Sequence, residues 1–133
     1  AEDKLAFYNL PFLDKLDELL TSTSPEKLEK EKRISMFPVN FARGMSWNAK
    51  FIILDEAQNC TKEQLKMILT RTGIDSKIMI AGDPQQIQIK RKSDSGLSKL
   101  IDVAEKIDKL AIVHLTSNYR DPIVEQIIDE YDN

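Results

Sequence analysis

Carboxylates, carboxamides and an arginine come directly after three short apolar runs of this sequence. The apolar runs occupy residues 51–54, 78–81 and 110–115, and the polar clusters occupy residues 55–59, 82–86 and 116–120. In an open parallel sheet, ligands bind outside the carboxyl ends of the strands. If the three runs are neighbouring strands, the polar clusters meet at one edge of the sheet and predict a binding or catalytic site there.

The first cluster has the Walker B arrangement, in which four apolar residues are followed by Asp55 and Glu56. A carboxylate at the tip of a strand suits a hydrated Mg²⁺, because this ion prefers hard oxygen ligands. The next acid can polarise a water for attack on a phosphoryl group. A capped strand end with no chemistry is the alternative that this motif alone leaves open.

The second and third clusters favour phosphoryl chemistry. Gly82 would let the backbone turn tightly, Asp83 adds a carboxylate, and Gln86 can reach toward a terminal phosphate or the attacking water. Arg120 would neutralise charge on a γ-phosphate, as an arginine finger does. Taken alone, Arg120 could equally be an ordinary arginine at the entry to a helix.

The segments around these clusters predict an α/β domain. Continuous apolar runs are typical of strands buried on both faces of a parallel sheet. Helical patterns over residues 61–72, from 93–95 to 107 and from 121 onward alternate with the runs, an order typical of α/β domains. Thr61 and Gln64 have the spacing of a capping box. Residues 34–39 are predicted as an edge strand, limited by Pro38.

The first 33 residues are predicted as a helical lead-in, followed by the main domain over residues 34–133. Asn9 is placed to cap the first helix, with Pro11 in its first turn. Residues 26–33 carry seven charges of mixed sign around Leu28, which indicates a solvated helix or excursion.

The strings FIILDEAQN at residues 51–59, QLKMILTR at 64–71, GDPQQ at 82–86 and SGL at 95–97 closely resemble PhoH-like proteins. These are P-loop ATPases related to superfamily-one helicases, and the resemblance covers roughly residues 38–131. It implies a three-layer RecA-like P-loop NTPase core, partial in this chain, with a mostly parallel sheet and helices on both faces. It also implies Mg²⁺-dependent ATP binding and hydrolysis, coupled to RNA or DNA remodelling.

The resemblance implies a role for each matching residue. Asp55 would hold Mg²⁺ through water, Glu56 would be the catalytic base, and Gln86 would sense the γ-phosphate. Gln58 and Arg120 would couple nucleotide state to motion. Gly82 and Asp83 complete the expected nucleotide-binding set, and ATP and Mg²⁺ are the expected cofactors.

A Walker A loop is not found in the sequence. Such a loop needs two glycines five positions apart, the second followed by lysine, because its backbone N–H groups wrap the phosphates. The four glycines (Gly44, Gly73, Gly82 and Gly96) do not fit that spacing. The chain also begins at Ala1 without methionine, so we expect a piece of a longer ATPase whose phosphate loop lies upstream.

Charge and composition limit the expected partners. The net charge of −3 argues against a generic nucleic-acid-coating or membrane-surface protein. Lys90, Arg91, Lys92 and Arg43 are candidate contacts to single-stranded RNA or DNA. The single cysteine, Cys60, fits a reducing compartment, and we expect a cytoplasmic protein without a membrane partner. A homo-oligomeric ring is suggested by the resemblance alone.

A second hypothesis belongs to another functional class. A non-catalytic binding or assembly module could keep the RecA-like shape without nucleotide chemistry. A Walker A sequence upstream of Ala1 would favour the ATPase, whereas a natural chain that begins near Ala1 would favour the module.

Overall fold

A computed structural model describes residues 2–133 of the chain, with side chains described from Asn9 onward. These residues form two compact units, one ending at Leu100 and the other running from Ile101 to Asn133. The helices are α1 (Glu2–Leu19), α2 (Pro25–Lys30), α3 (Lys62–Leu69), α4 (Leu97–Ala104) and α5 (Pro122–Asp132), and the strands are β1 (Phe51–Leu54) and β2 (Lys77–Ile80). Short 3-10 helices occupy Val39–Ala42, Ala57–Asn59 and Lys92–Asp94.

The two strands form a parallel sheet, with α3 between them along the chain. The register pairs Phe51 with Lys77 and ends at Leu54 with Ile80. Both strands therefore end at the same edge of the sheet, as the apolar runs predicted. The α/β class and the parallel direction of these two strands are confirmed.

Helix α3 begins at the capping box that the sequence predicted. The hydroxyl of Thr61 accepts a hydrogen bond from the Gln64 backbone N–H at 3.2 Å, and the Gln64 side-chain oxygen accepts one from the Thr61 N–H at 2.9 Å. Two N–H groups at the helix start are thereby satisfied. The helix ends at Leu69, three residues before the predicted end at Thr72.

The core of the first unit is formed by side chains of β1, the loop after β1, α3 and the start of α4. Buried side chains at helical spacing on α3 provide its centre, because they remove apolar surface from water. The buried apolar residues in this core are Leu54, Ala57, Cys60, Leu65, Ile68 and Leu97. This packing holds the loop after β1 between the sheet and two helices.

The prediction of a strand at residues 110–115 is wrong. These residues form irregular chain, and the side chains of Val113 and Leu115 are 79% and 91% exposed. The sheet of the described residues consists of β1 and β2 alone, so this segment has no ladder of hydrogen bonds to join. An apolar run indicates a tendency to be buried, but it does not specify the neighbour that a strand requires.

The N-terminal predictions also need correction. Helix α1 starts at Glu2 and continues through Pro11, so Asn9 is not its cap and Pro11 is not in its first turn. The leucine-rich residues after Pro11 are good helix formers, which offset the hydrogen bond that the proline removes. Residues 34–38 are irregular rather than an edge strand, and a 3-10 helix follows Pro38.

Candidate functional site

The loop after β1 contains the two acids of the Walker B pattern. Glu56 adopts a left-handed backbone conformation, with φ 54° and ψ 37°. A side chain with a β-carbon is disfavoured there by roughly 1–3 kcal/mol, so the surrounding contacts must hold it. The Asp55 carboxylate accepts a hydrogen bond from the Glu56 N–H at 2.9 Å, and the Ala57 N–H donates to the Ala81 carbonyl at 2.9 Å.

Gln58 joins the loops at the ends of the two strands. Its side chain is 1% exposed, and its amide nitrogen donates a hydrogen bond to the Glu56 carboxylate. Its amide oxygen accepts a hydrogen bond from the Asp83 N–H at 3.1 Å. A single buried carboxamide therefore spans the predicted catalytic base and the loop that follows β2.

Gly82 lies against this carboxamide. A β-carbon at position 82 would be 3.0 Å from the Gln58 side-chain oxygen, 3.2 Å from the Gln58 backbone nitrogen and 3.1 Å from a Leu97 methyl group. The φ angle of Gly82 is not in the left-handed range. The φ angle therefore gives no reason for a glycine-dependent turn at position 82, and a β-carbon there would crowd the Gln58 carboxamide.

Asp83 orients the predicted sensor glutamine. One of its carboxylate oxygens accepts a hydrogen bond from the Gln86 side-chain nitrogen at 2.9 Å. The other accepts one from the Gln85 backbone N–H, also at 2.9 Å. Asp83 is half-buried and Gln86 is exposed, so the sensor side chain is held at the surface.

Asn59 makes a contact that the sequence did not predict. Its side-chain oxygen accepts a hydrogen bond from the Gln88 backbone N–H at 2.7 Å. Gln58 and Asn59 thus hold the loop after β2 at two places, Asp83 and Gln88. The only signal in the sequence is the pair of consecutive carboxamides after the Walker B acids.

The residues present fit a Mg²⁺ ion that is bound mainly by water and phosphate. Mg²⁺ commonly uses one or two protein carboxylates and completes its shell with waters and substrate phosphates. Asp55, exposed at the end of β1, offers a suitable oxygen. Within residues 9–133, whose side chains are described, no group of three or more His, Cys, Asp or Glu could hold a metal by itself.

Burial affects the one thiol of the chain. Cys60 follows the carboxamide pair and is buried, and desolvation raises the pKa of its thiol above the ordinary value. The neutral thiol is therefore favoured at neutral pH, as expected for a structural cysteine.

Arg120 belongs to the second unit. Its backbone N–H donates a hydrogen bond to the Asn118 side-chain oxygen at 3.0 Å, and the Asn118 amide nitrogen donates to Glu125 at 2.7 Å. The carboxylate of Asp121 then caps α5 by accepting from the Ile123 N–H. These bonds order the entry to α5, and a role for Arg120 beside a γ-phosphate stays a prediction.

The predicted basic contacts lie in two segments. Lys90, Arg91 and Lys92 are exposed, and the Arg91 guanidinium is 3.3 Å from the Asp94 carboxylate. Arg43 instead follows the 3-10 helix Val39–Ala42. Trp47 is buried and stacks on Phe37 with ring centres 5.8 Å apart, so it is unavailable for stacking on a base.

Arg43 lines a surface pocket between the 3-10 helix Val39–Ala42 and α3. The pocket has a volume of about 510 Å³. Its lining residues are Asn40, Arg43, Glu63, Gln64, Met67 and Arg71. Except for Arg43, none of them was predicted to belong to a binding site, because the two segments that supply them are about 20 positions apart along the chain.

No helix in the part of the chain that the structure describes is both long enough and apolar enough to cross a membrane.

Comparison with protein families matches residues 1–132 to the family described as PhoH-like protein. A PhoH-like protein of Mycobacterium tuberculosis (strain H37Rv) is 39% identical over 131 residues, which are 97% of this chain and 37% of that protein. A PhoH-like protein of Bacillus subtilis (strain 168) is 36% identical, over 98% of this chain and 42% of that protein.

A more distant relative is Protein PhoH of Escherichia coli (strain K12). It is 32% identical over 113 residues, which are 84% of this chain and 32% of that protein. The chain thus spans well under half the length of the curated relatives it matches.

Proposed function

The chain belongs to the PhoH-like protein family, and from this premise we propose that it forms the Walker B and sensor part of a Mg²⁺-dependent ATPase. The proposed fold is part of a RecA-like P-loop core, of which β1, α3 and β2 are one strand–helix–strand portion. The observation that carries the proposal is the Gln58 carboxamide, which joins the Glu56 carboxylate to the backbone of Asp83.

The phosphate loop is assigned to another part of the complete protein. The Walker A pattern does not occur in these 133 residues, and the chain spans 37% of the mycobacterial relative. In this proposal Asp55 would hold Mg²⁺ through water. When bound, the ion neutralises charge on the phosphates and orients them for attack.

The reaction proposed is hydrolysis of the bond between the β- and γ-phosphates of ATP. The oxygen of a water forms a bond to the γ-phosphorus while the bridging bond to the β-phosphate breaks, and Glu56 accepts the proton of the water. The hydrogen bond from Gln58 holds the Glu56 carboxylate in position for that step. Gln86, held by Asp83, would contact the γ-phosphate or the attacking water.

The proposal includes single-stranded RNA or DNA as the partner whose remodelling uses the energy of hydrolysis. The exposed residues Lys90, Arg91 and Lys92 are the proposed contacts, because each phosphate neutralised by a cation releases counterions and adds affinity. Arg120 is proposed to compensate charge on the γ-phosphate.

The decisive experiment replaces Glu56 with glutamine in the complete protein. Glu56→Gln removes the base but keeps the shape of the side chain, so we expect ATP turnover to fall at least 100-fold while ATP binding stays near wild type. Glu29→Gln, which changes an exposed glutamate of α2, is the matched control and should leave both unchanged.

Turnover that is unaffected by Glu56→Gln would remove Glu56 from the proposed role. A complete protein that neither binds nor hydrolyses ATP would instead support the non-catalytic binding or assembly module.

A further inference from the structure

We propose that the pocket between the 3-10 helix Val39–Ala42 and α3 binds a phosphate group, with Arg43 and Arg71 as its two cationic residues. Its volume of about 510 Å³ is ample for a phosphate and the groups attached to it. Arginine suits this ligand because its planar guanidinium can donate two parallel hydrogen bonds to phosphate oxygens.

Neither guanidinium is neutralised within the described part of the chain. The ion pairs found among side chains 9–133 include neither Arg43 nor Arg71, although the carboxylate of Glu63 lines the same pocket. The Nε atom of Arg71 is buried and has no hydrogen-bond partner among those residues. Buried donors are normally paired, so this guanidinium is a group whose charge a bound anion would stabilise.

One wall of the pocket is formed before any ligand binds. The Gln64 side-chain oxygen is held by the Thr61 N–H, and its nitrogen donates to the Asn40 side-chain oxygen at 3.4 Å. The capping box of α3 therefore fixes the carboxamide that connects the helix to Asn40. A wall held in this way lowers the ordering cost that a ligand would otherwise meet.

Glu63 should act against the same ligand. A carboxylate in the pocket repels a phosphate, and such like-charge contacts are a means of discrimination between partners. Its presence predicts that affinity can be raised by removing one negative charge.

An exposed aromatic residue favours a polynucleotide as the source of the phosphate. Phe41 lies on the 3-10 helix that contributes Asn40, and its side chain is 69% exposed. Bases of single strands stack on such rings with little sequence preference. This choice of source rests on the proposed function, in which RNA or DNA is the partner. The phosphate site itself is inferred from the pocket residues alone.

The test measures binding in the complete protein without ATP turnover. The probes are a fluorescein-labelled single-stranded oligouridylate, followed by anisotropy, and inorganic phosphate, followed by calorimetry. Arg43→Ala and Arg71→Ala should each weaken oligouridylate binding about tenfold. Each should also reduce the slope of log affinity against log salt by about 0.7.

Matched variants separate the pocket from general charge. Arg33→Ala removes an exposed arginine that lies 3.8 Å from Glu31 and should bind like wild type. Arg71→Lys keeps the charge but loses the planar fork, so its affinity should fall between those of the wild type and Arg71→Ala. Glu63→Gln should bind more tightly, and circular dichroism should be unchanged in every variant.

The remaining outcomes assign the source or overturn the proposal. Phe41→Ala should weaken binding of the oligouridylate and leave inorganic phosphate unchanged. If the arginine variants lose inorganic phosphate but keep the oligouridylate, the source is a free phosphate group rather than a polynucleotide. Wild-type binding of every probe by both alanine variants overturns the phosphate site. This test measures binding and not hydrolysis. Failure of the Glu56→Gln experiment would therefore leave the phosphate site unaffected.

Discussion

The side-chain oxygen of Gln58 accepts a hydrogen bond from the backbone N–H of Asp83 at 3.1 Å, across 25 positions of the chain. The amide nitrogen of the same buried side chain donates to Glu56. The predicted base and the loop that carries the predicted sensor are therefore joined through one group.

Gln58→Ala should destabilise the protein and impair turnover. The change leaves the Asp83 N–H without its partner and opens a cavity in place of the buried side chain, at a cost of about 2–3 kcal/mol in the free energy of unfolding. In the complete protein, kcat should fall more than the KM for ATP changes, because Glu56 loses the group that positions it. Urea unfolding and steady-state kinetics measure the two effects.

Gln85→Ala is the control for this change. Gln85 is an exposed glutamine whose backbone, rather than side chain, bonds Asp83. A Gln58→Ala variant as stable and as active as Gln85→Ala would show that the connection is dispensable.

Gly82→Ala should disturb the same carboxamide from the opposite side. The added methyl group would lie 3.0 Å from the Gln58 oxygen and 3.1 Å from Leu97, and overpacking of this kind typically costs 1–3 kcal/mol. Thermal unfolding should show the loss of stability, and ATP turnover should fall with it.

Gly44→Ala separates local packing from backbone strain. Gly44 has φ 82°, so alanine is strained there, yet a β-carbon would meet nothing within 4 Å. This variant should lose stability without a specific loss of turnover. Equal turnover in the two variants would contradict the close approach of Gly82 and Gln58.

The Cys60 thiol should react slowly in the native protein. Burial restricts access and raises the pKa of the thiol, so little thiolate is present at neutral pH. Iodoacetamide should label Cys60 far more slowly at pH 7.5 than it labels Ser35→Cys placed at an exposed position in a Cys60→Ala background. Labelling at equal rates would contradict the burial of Cys60.

The same pKa shift gives stability a definite pH dependence. The folded state holds the thiol proton more tightly than the unfolded state, so the unfolded thiol ionises first as the pH rises. The contribution is present below about pH 8.5, the ordinary thiol value, and is lost as the pH rises toward the folded value. Urea unfolding should therefore show wild type losing stability relative to Cys60→Ala above about pH 8.5.

Local sequence patterns correctly predicted those features of the fold that depend only on residues close together in the chain. The capping box of Thr61 and Gln64 depends on two side chains three positions apart, and the structure contains it. The apolar runs at β1 and β2 did form strands, because each strand has the other to pair with. Residues 110–115 are also mostly apolar, but among the described residues they have no strand to pair with. No local pattern contains that information.

The site was predicted as a set of residues rather than as a set of contacts. Asp55, Glu56 and Gln58 were identified from a motif, whereas the bonds from Gln58 to Asp83 and from Asn59 to Gln88 depend on how two loops meet. Gly82 was assigned to a turn because glycine is common in turns, but its role depends on a neighbour 24 positions away. The pocket at Arg71 likewise needs the packing of α3 against the segment at Asn40.

The two anchors at Asp83 and Gln88 tie both ends of a short stretch of chain after β2 to the loop after β1. Between them, residues 84–87 form a short span. Gln86 lies within this span and is exposed. Reorientation of such a span is a local loop motion on the nanosecond to microsecond scale and leaves the strand register unchanged. The predicted sensor, Gln86, could therefore change its contacts without any rearrangement of the sheet.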